Sequence, residues 1–598
     1  MCGLLGYLGE KNTDKFEKGF LALKHRGPDG SSTVSLDKVI LGHHRLKIID
    51  VSEAANQPFV YQNRYYLVFN GEIYNYIELR QELKTAGYNF TTDSDTEVLL
   101  YSILHWGVKA FNKFNGMWAL GLWDNETKEL LLSRDRVGKK PLFYSTQNNE
   151  FVFGSEMKGI YPFLNDVRFN ETVLKKAQHN FFSYESSEDC LIEGINKLQA
   201  GSYAIYKNNK LSIHKYYDLI NEVKPFEGNY NEQKEAFKEL FIDACKIRAR
   251  SDVVISTALS GGIDSTVVTA VLHNLKKENK INPHILQNPF VAIYPNSALN
   301  EQAYAEEVAK HLNIKANLIS VNPLEDIDNI FRYAYLFEEY NPTFPLPFIK
   351  LYQSVKKTGI SVTIDGHGSD ELFGGYPFGV YEMVKKHPFN PIKAFSYYNT
   401  ILSASTPKSK LISIKEFTKL YLSSFDKNIF DKKNELWDGL NNTCYDYTFN
   451  SILPTILRNF DRYSMINGIE IRMPFLDHRI INFAFSIPSS SKVKNGYLKY
   501  IVRDSFKDLM PYDIYARKRK IGWNAPFFEY MQGSLKPWIM DAINSKDFET
   551  SNYYNGKLYK EEIIKILNKN NISYHDGELV WRMLITYVTE RSLNLYAK

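Results

Sequence analysis

One stretch, residues 252–365, constrains this chain more than any other. Short apolar runs at 252–257 (DVVIST), 290–294 (FVAIY), 317–321 and 361–365 alternate with helical text at 264–275, at 300–312 and again up to residue 339. Strand–helix alternation at this spacing predicts a doubly wound parallel sheet covered by helices, an α/β architecture. Ligands of such sheets bind beyond the carboxyl ends of the strands. Two glycine-bearing segments fall there: Ser260-Gly261-Gly262-Ile263-Asp264-Ser265 after the first strand, and residues 365–376 (DGHGSDELFGGY) after the last.

In the first segment two glycines let the backbone approach a phosphate closely. The amides opening the following helix favour an anion. Ser260 and Ser265 add hydroxyl donors, and Asp264 can hold a magnesium ion. No Lys-Ser/Thr follows the glycines, so this is not a Walker loop. Read alone, the hexapeptide serves equally well as a capped strand–helix turn. The second segment joins four glycines to the carboxylates of Asp365, Asp370 and Glu371. That composition suits a loop wrapping a polyphosphate and its metal, and it shares the sheet edge with the first. Lys499 and Lys520 are candidates to neutralise phosphate charge, although either lysine alone reads as a solvated surface residue.

Ahead of this sheet the text is of another kind. Runs at 65–70 (YYLVFN), 118–123 (WALGLW), 130–133 and 151–154 are bounded by Gly, Asn and Asp, the punctuation of strands and turns. Helices are predicted at 76–86 and 94–106, the second capped by Ser94 or Asp95. The expectation is a β-rich α+β layered domain over residues 1–215. Polar, irregular text at 216–231 marks the boundary, and residues 216–598 form the second domain, mostly helical after 376.

Composition excludes several classes. Lys plus Arg number 73 and Asp plus Glu 68, a net charge of +5 over 598 residues, which gives no reason to expect nucleic acid or an anionic membrane as partner. The start (MCGLLGYLGEKN) lacks the basic and apolar regions of a secretory signal, and no run approaches a membrane span. Four cysteines without CxxC or zinc spacing fit a reducing compartment, so the expected location is cytoplasmic. Cys190, Cys245 and Cys444 read as ordinary or buried thiols. Adjacent His43 and His44 point to opposite faces of a strand and do not suit one metal ion.

Cys2 becomes N-terminal once Met1 is removed. Its α-amine can then take the thiol proton, so one residue supplies nucleophile and base. Position alone is weak, but other segments agree: Arg26-Gly27-Pro28-Asp29, Gly42-His43-His44-Arg45-Leu46, Gln57-Pro58, Asn70-Gly71-Glu72-Ile73-Tyr74-Asn75, Ser94-Asp95-Thr96-Glu97 and Arg134-Asp135-Arg136. This ordered set resembles the class II glutamine amidotransferase domain, an N-terminal-nucleophile fold. Together with the two sheet-edge loops, Asp461-Arg462, Glu470, Arg472 and Pro474-Phe475-Leu476-Asp477, nearly the whole chain resembles glutamine-hydrolysing asparagine synthetase.

The resemblance implies a role for each residue. Cys2 attacks the glutamine amide, and Asn70 and Gly71 form the oxyanion hole. Arg45 holds the glutamine α-carboxylate, and Glu72 and Asp95 its α-ammonium. Ser260, Gly261, Gly262, Asp264 and Ser265 bind ATP pyrophosphate. Leu259, Val291, Asp365 and Gly366 flank the nucleotide, Asp264 and Asp370 hold Mg2+, and Lys499 neutralises phosphate. The implied partners are glutamine, ATP and a carboxylate acceptor; a homodimer is admitted but not required. The implied reaction activates a carboxylate as an acyl-adenylate, releasing pyrophosphate, and ammonia then displaces AMP.

Departures bear on the acceptor. The family loop usually reads Ser-Gly-Glu-Gly-Ser-Asp-Glu, and His367 stands at its glutamate. Val137, Lys139 and Trp523 depart more mildly. Aspartate remains the expected acceptor on family grounds, a uronic acid for polysaccharide assembly the competing one, with Asp365 available to restore the missing charge. A non-catalytic glutamine- or nucleotide-binding descendant is disfavoured by the retention of Cys2, Arg45, Asn70, Asp95 and the complete SGGIDS.

Overall fold

The computed structural model describes residues 2–10, 12–147, 149–284, 286–295, 297, 299–322, 324–341, 343–387, 389–405, 417–419, 421–422, 437–519 and 526–597. Lys520 and Trp523 lie outside the described residues.

Residues 3–215 build two antiparallel sheets. The strands are β1 (Gly3–Leu8), β2 (Gly30–Ser35), β3 (Val39–Arg45), β4 (Phe59–Tyr61), β5 (Tyr65–Ile73), β6 (Gly116–Asp124), β7 (Glu129–Arg134), β8 (Phe143–Ser145), β9 (Phe151–Gly154), β10 (Asn196–Lys197), β11 (Ser202–Lys207) and β12 (Lys210–Lys215). One sheet runs β10-β8-β9-β1-β3-β2 and the other β12-β11-β7-β6-β5-β4. Leu4, Leu41, Val68, Ala119, Leu132 and Phe153 form the core between them. Gly121 belongs there for steric reasons, since a Cβ would meet the Phe153 ring at 2.5 Å.

The outer faces are buried too. Leu5, Tyr7 and Ile40 pack with Phe16 of helix Thr13–Ala22 and with Val173 and Leu174 of helix Glu171–His179. Leu67, Phe69 and Leu120 pack with Leu79 of helix Tyr76–Thr85 and with Val98 and Leu99 of helix Asp95–Trp106. The order is helix, sheet, sheet, helix, which explains why both faces of GLLGYL are buried. Ser94 caps the second of those helices, its hydroxyl accepting from the Thr96 amide at 3.1 Å.

Behind these layers lies the parallel sheet: β13 (Ile255–Thr257), β14 (Phe290–Ile293), β15 (Asn317–Ser320), β16 (Val362–Ile364) and β17 (Glu470–Arg472). β13 pairs with β16 and β16 with β17, all parallel, and β14 pairs with β15. Parallel bridges Ile255–Leu286 and Ala258–Phe290 join the two groups, and the Leu259 amide donates to the Phe290 carbonyl at 2.7 Å. The spatial order is therefore β15-β14-β13-β16-β17.

Two expectations are corrected. The run 252–257 pairs only from Ile255, because the Asp252 amide donates instead to the Ile48 carbonyl of the N-terminal layers at 2.9 Å. The helical text beyond 376 also hides β17, whose charged ends are buried because Arg472 Nε donates to Glu470 Oε1 at 2.6 Å. Among the described residues no helix is long and apolar enough to cross a membrane.

Candidate functional site

Cys2 precedes β1 at the centre of its sheet and is buried. Its backbone nitrogen donates to Asn70 Oδ1 at 3.0 Å. That bond fixes the Asn70 amide, leaving Nδ2 buried with no hydrogen-bond partner among the described residues. An orphaned buried donor costs about 1–3 kcal/mol, so this one marks a place where an acceptor is expected. Burial pushes the Cys2 thiol pKa up, against the Leu46 backbone and Arg45, which pull it down. Gly71 lies hard against β6, where a Cβ would run into the Met117 carbonyl.

Cys2, Arg45, Gly71, Glu72 and Asp95 line one narrow cleft. Arg45, at the end of β3, is aimed by backbone: Nη1 donates to the Ser52 carbonyl at 2.6 Å and to Asn56 Oδ1 at 2.8 Å, and Nη2 donates to the Asp50 carbonyl. Asp95, the first residue of its helix, accepts from the Ile73 amide at 2.9 Å. Burial, with Glu470 adding to it, raises its pKa to about 6 against the pull of that amide and of Arg472. Glu72 is raised well above the carboxylate range by burial and by Glu470 and Asp95.

Gln57 and Arg26, present in the sequence reading only as parts of motifs and given no role there, support this cleft. Gln57 lines it, accepts from the Phe69 amide at 2.6 Å and reaches Thr96 Oγ1 at 3.3 Å. Arg26 donates to the Cys2 carbonyl at 3.2 Å while its guanidinium engages Glu156 at 2.6 Å and Asp461, across the chain, at 2.8 Å. Membership of RGPD was the only sequence signal for Arg26. His43 and His44 face different partners, the Phe69 carbonyl and the Ser31 hydroxyl respectively.

At the parallel sheet's edge the two loops converge on a cavity of about 570 Å³. Leu259, Ser260, Gly261, Gly262, Asp264, Ser265, Asp365, Gly366, Asp370 and Lys499 all line it. Val291 does not: its side chain is fully buried, and its neighbours Phe290 and Ala292 face the cavity, as strand alternation requires. Gly261 sits at φ +72°, where a Cβ would meet Tyr304 Cβ at 2.5 Å. The loops interlock: a Cβ on Gly366 would lie 2.8 Å from Asp264. Ser265 Oγ takes the Ser260 amide at 3.1 Å, so the first loop is braced before any ligand arrives.

Lys499 Nζ donates to Asp264 Oδ2 at 2.6 Å and to Asp370 Oδ1 at 2.9 Å. Two carboxylates from different loops therefore converge on one cation, and Asp264 Oδ1 is buried with no hydrogen-bond partner among the described residues. This donor set fits Mg2+, which is commonly held by one or two carboxylates together with water and substrate phosphates. Arg503, Arg517 and Lys518, unremarked in the sequence, add positive charge to the same cavity.

His367 also lines the cavity, 4.1 Å from the Phe460 ring between centroids. Burial holds its pKa down to about 4 and pushes that of Asp365 up to about 7. Asp365 is tied to the Tyr352 hydroxyl at 3.3 Å. Any compensation by Asp365 for the charge missing at His367 is therefore partial: at neutral pH the imidazole is uncharged and the carboxyl only partly ionised. Lys139, another departure, spans the two halves of the molecule, donating to the Gly116 carbonyl at 3.1 Å and the Leu476 carbonyl at 2.9 Å.

Comparison with known proteins agrees with both halves. Residues 1–217 match the glutamine amidotransferase domain model and residues 236–589 the asparagine synthase model. Asparagine synthetase [glutamine-hydrolyzing] 1 of Bacillus subtilis is 28% identical over all of this chain and 97% of its own length. Asparagine synthetase [glutamine-hydrolyzing] 3 of the same organism is 27% identical, covering 92% of this chain and 91% of that protein. The amidase chry2 of Gibberella zeae is 25% identical, covering 93% and 91%. With two family models in tandem and relatives aligned from end to end, this chain belongs to the asparagine synthase family and is a glutamine-hydrolysing ligase of that family.

Proposed function

We propose that the chain converts L-aspartate to L-asparagine with glutamine as nitrogen donor, residues 1–215 serving as glutaminase domain and 216–598 as synthetase domain. In the first domain the free amine of Cys2, once Met1 is removed, takes the thiol proton. The sulfur then adds to the glutamine side-chain carbonyl. Asn70 Nδ2 and the Gly71 N–H hold the oxyanion, Arg45 the α-carboxylate, and Glu72 with Asp95 the α-ammonium. The C–N bond breaks, ammonia leaves with the proton, and water releases glutamate from the thioester.

In the second domain the acceptor carboxylate attacks the α-phosphorus of ATP, lying over residues 260–265 and flanked by Leu259, Asp365, Gly366 and the backbone around Val291. Pyrophosphate departs. Ammonia then attacks the acyl carbon and AMP leaves. Asp264 and Asp370 would hold Mg2+, which supplies neutralisation of the pyrophosphate charge. Lys499 passes from the carboxylates to phosphate.

The observation carrying this reading is the pair of interlocked loops, with Asp264 and Asp370 converging on one cation beside a cavity of ligand size. A second acceptor class has its own support. The wall around His367 is largely aromatic, with Phe348, Phe460 and Tyr463 in mutual contact and the Asp365 carboxyl 3.9 Å from the imidazole, and the cavity reaches Phe181, Phe182 and Tyr574. That wall suits a carboxylate on a sugar ring. Pyrophosphate release across a panel of aspartate and nucleotide-linked uronic acids tests the assignment: aspartate is expected to give the highest kcat/KM, and preference for a uronic acid transfers the reaction to that substrate.

A further inference from the structure

Arg472 touches both halves of the chemistry. It is fully buried on β17, and its backbone carbonyl accepts from the amide of Asp365, the first residue of the nucleotide loop, at 2.9 Å. Its Nη2 lies 3.6 Å from Glu72 Oε2 in the cleft beside Cys2. Both atoms are buried, and neither has a hydrogen-bond partner among the described residues. The rest of the guanidinium is engaged, Nε with Glu470 at 2.6 Å and Nη1 with the carbonyls of Arg248 at 2.8 Å and Arg250 at 2.5 Å.

We propose that Arg472 is a positioning residue that carries glutamine occupancy from Glu72 to the nucleotide loop at Asp365. The inference rests on the reading of Glu72 as a holder of the glutamine α-ammonium. Charge supplies the drive. Burial, with Glu470 and Asp95 close by, outweighs the pull of Arg472, so Glu72 resists ionisation until a further cation is seated beside it. An arriving α-ammonium is that cation. Ionised Glu72 then draws Arg472 Nη2 across the remaining gap to hydrogen-bond distance. Because β17 is bonded to β16 in register Ile364–Arg472, the adjustment reaches Asp365 directly.

The test uses the full chain carrying Cys2→Ala, which binds glutamine without consuming it. Calorimetry gives the glutamine Kd with and without Mg2+ and α,β-methylene-ATP, and the reciprocal nucleotide Kd. Coupling of at least about five-fold, equal in both directions, is expected. Arg472→Lys in the same background should abolish it, while ammonium-dependent synthesis by Arg472→Lys alone stays at the parent rate. Should Arg472→Lys fail to fold, Glu470→Gln serves instead: without that carboxylate Glu72 ionises and pairs with Arg472 before glutamine arrives, so the coupling should weaken. No coupling in the parent, coupling undiminished in Arg472→Lys, or coupling unaltered in Glu470→Gln each overturns the proposal. Glu72→Gln separates the underlying reading: glutamine binding unaffected by that change means Glu72 does not hold the ammonium at all.

Discussion

Around Cys2, Arg45 and Asp95 lean on backbone, whereas around Asp264 the charged side chains lean on one another. Arg45 is spread over the carbonyls of Ser52 and Asp50, and Asp95 is fixed by the Ile73 amide. Asp264 and Asp370 instead share the ammonium of Lys499. The first arrangement is preorganised for a neutral amide whose developing charge is small and local. The second is a partly neutralised set in a wide cavity, ready to exchange partners when a polyphosphate and its metal bring several charges at once. The cleft is built for geometry and the cavity for charge.

Substitutions should separate the two designs. The largest effect is expected at the cavity. Asp264→Asn or Asp370→Asn should cut ATP-dependent synthesis by about 10³ or more, since metal-assisted charge neutralisation is worth several kcal/mol. Glutaminase turnover of the same variants should persist. Product analysis of the parent should give AMP and pyrophosphate; ADP and phosphate would overturn the adenylate route.

Next comes the oxyanion donor. Asn70→Ala should lower glutaminase kcat by about 10²–10³ with little change in KM. Arg45→Ala should do the reverse, raising the glutamine KM by about 10–100-fold through loss of charge-assisted hydrogen bonds to a group that does not react. The opposite partition in steady-state kinetics would mean that the roles of Asn70 and Arg45 are exchanged.

The pH response should differ as well. Asp95 has its pKa raised to about 6, so it is ionised above that value and loses its charge as pH falls through it. Glutamine KM should therefore rise below about pH 6, while ammonium-dependent synthesis, corrected for free ammonia, should show no step there. A flat glutamine KM down to pH 5 would remove Asp95 from ammonium binding.

The smallest effect is expected at His367. Its imidazole is already neutral at physiological pH, so His367→Glu should change aspartate kcat/KM by only a few-fold, upward if the added charge helps to hold the acceptor. Aspartate turnover unimproved by that change, alongside efficient parent activity, would show that this departure from the family loop has little weight.

Much of this was legible in the chain because it is local. The strand–loop–helix at Ser260, the capped helix at Ser94 and the short apolar runs of β5 and β6 are set by neighbours a few residues apart. The remainder depends on residues hundreds of positions apart. Nothing near Lys499 indicates that its partners are Asp264 and Asp370. Glu470 and Arg472 enter the sequence reading only through the family resemblance, within text read as helical, and nothing there indicates that each satisfies the other inside a sheet. Arg26 likewise gains meaning only through Asp461. Periodicity reports which face of an element is apolar, but it does not report which distant charge a buried charge will meet.

The central claim about the molecule is that one chain holds two separable chemistries. Cys2→Ala, assayed side by side with glutamine and with ammonium chloride as nitrogen source, tests this most directly. Synthesis from glutamine should disappear, and synthesis from ammonium, with AMP and pyrophosphate as co-products, should continue at the parent rate. Glutamine-dependent synthesis that survives Cys2→Ala, or ammonium-dependent synthesis that is lost with it, would contradict the account.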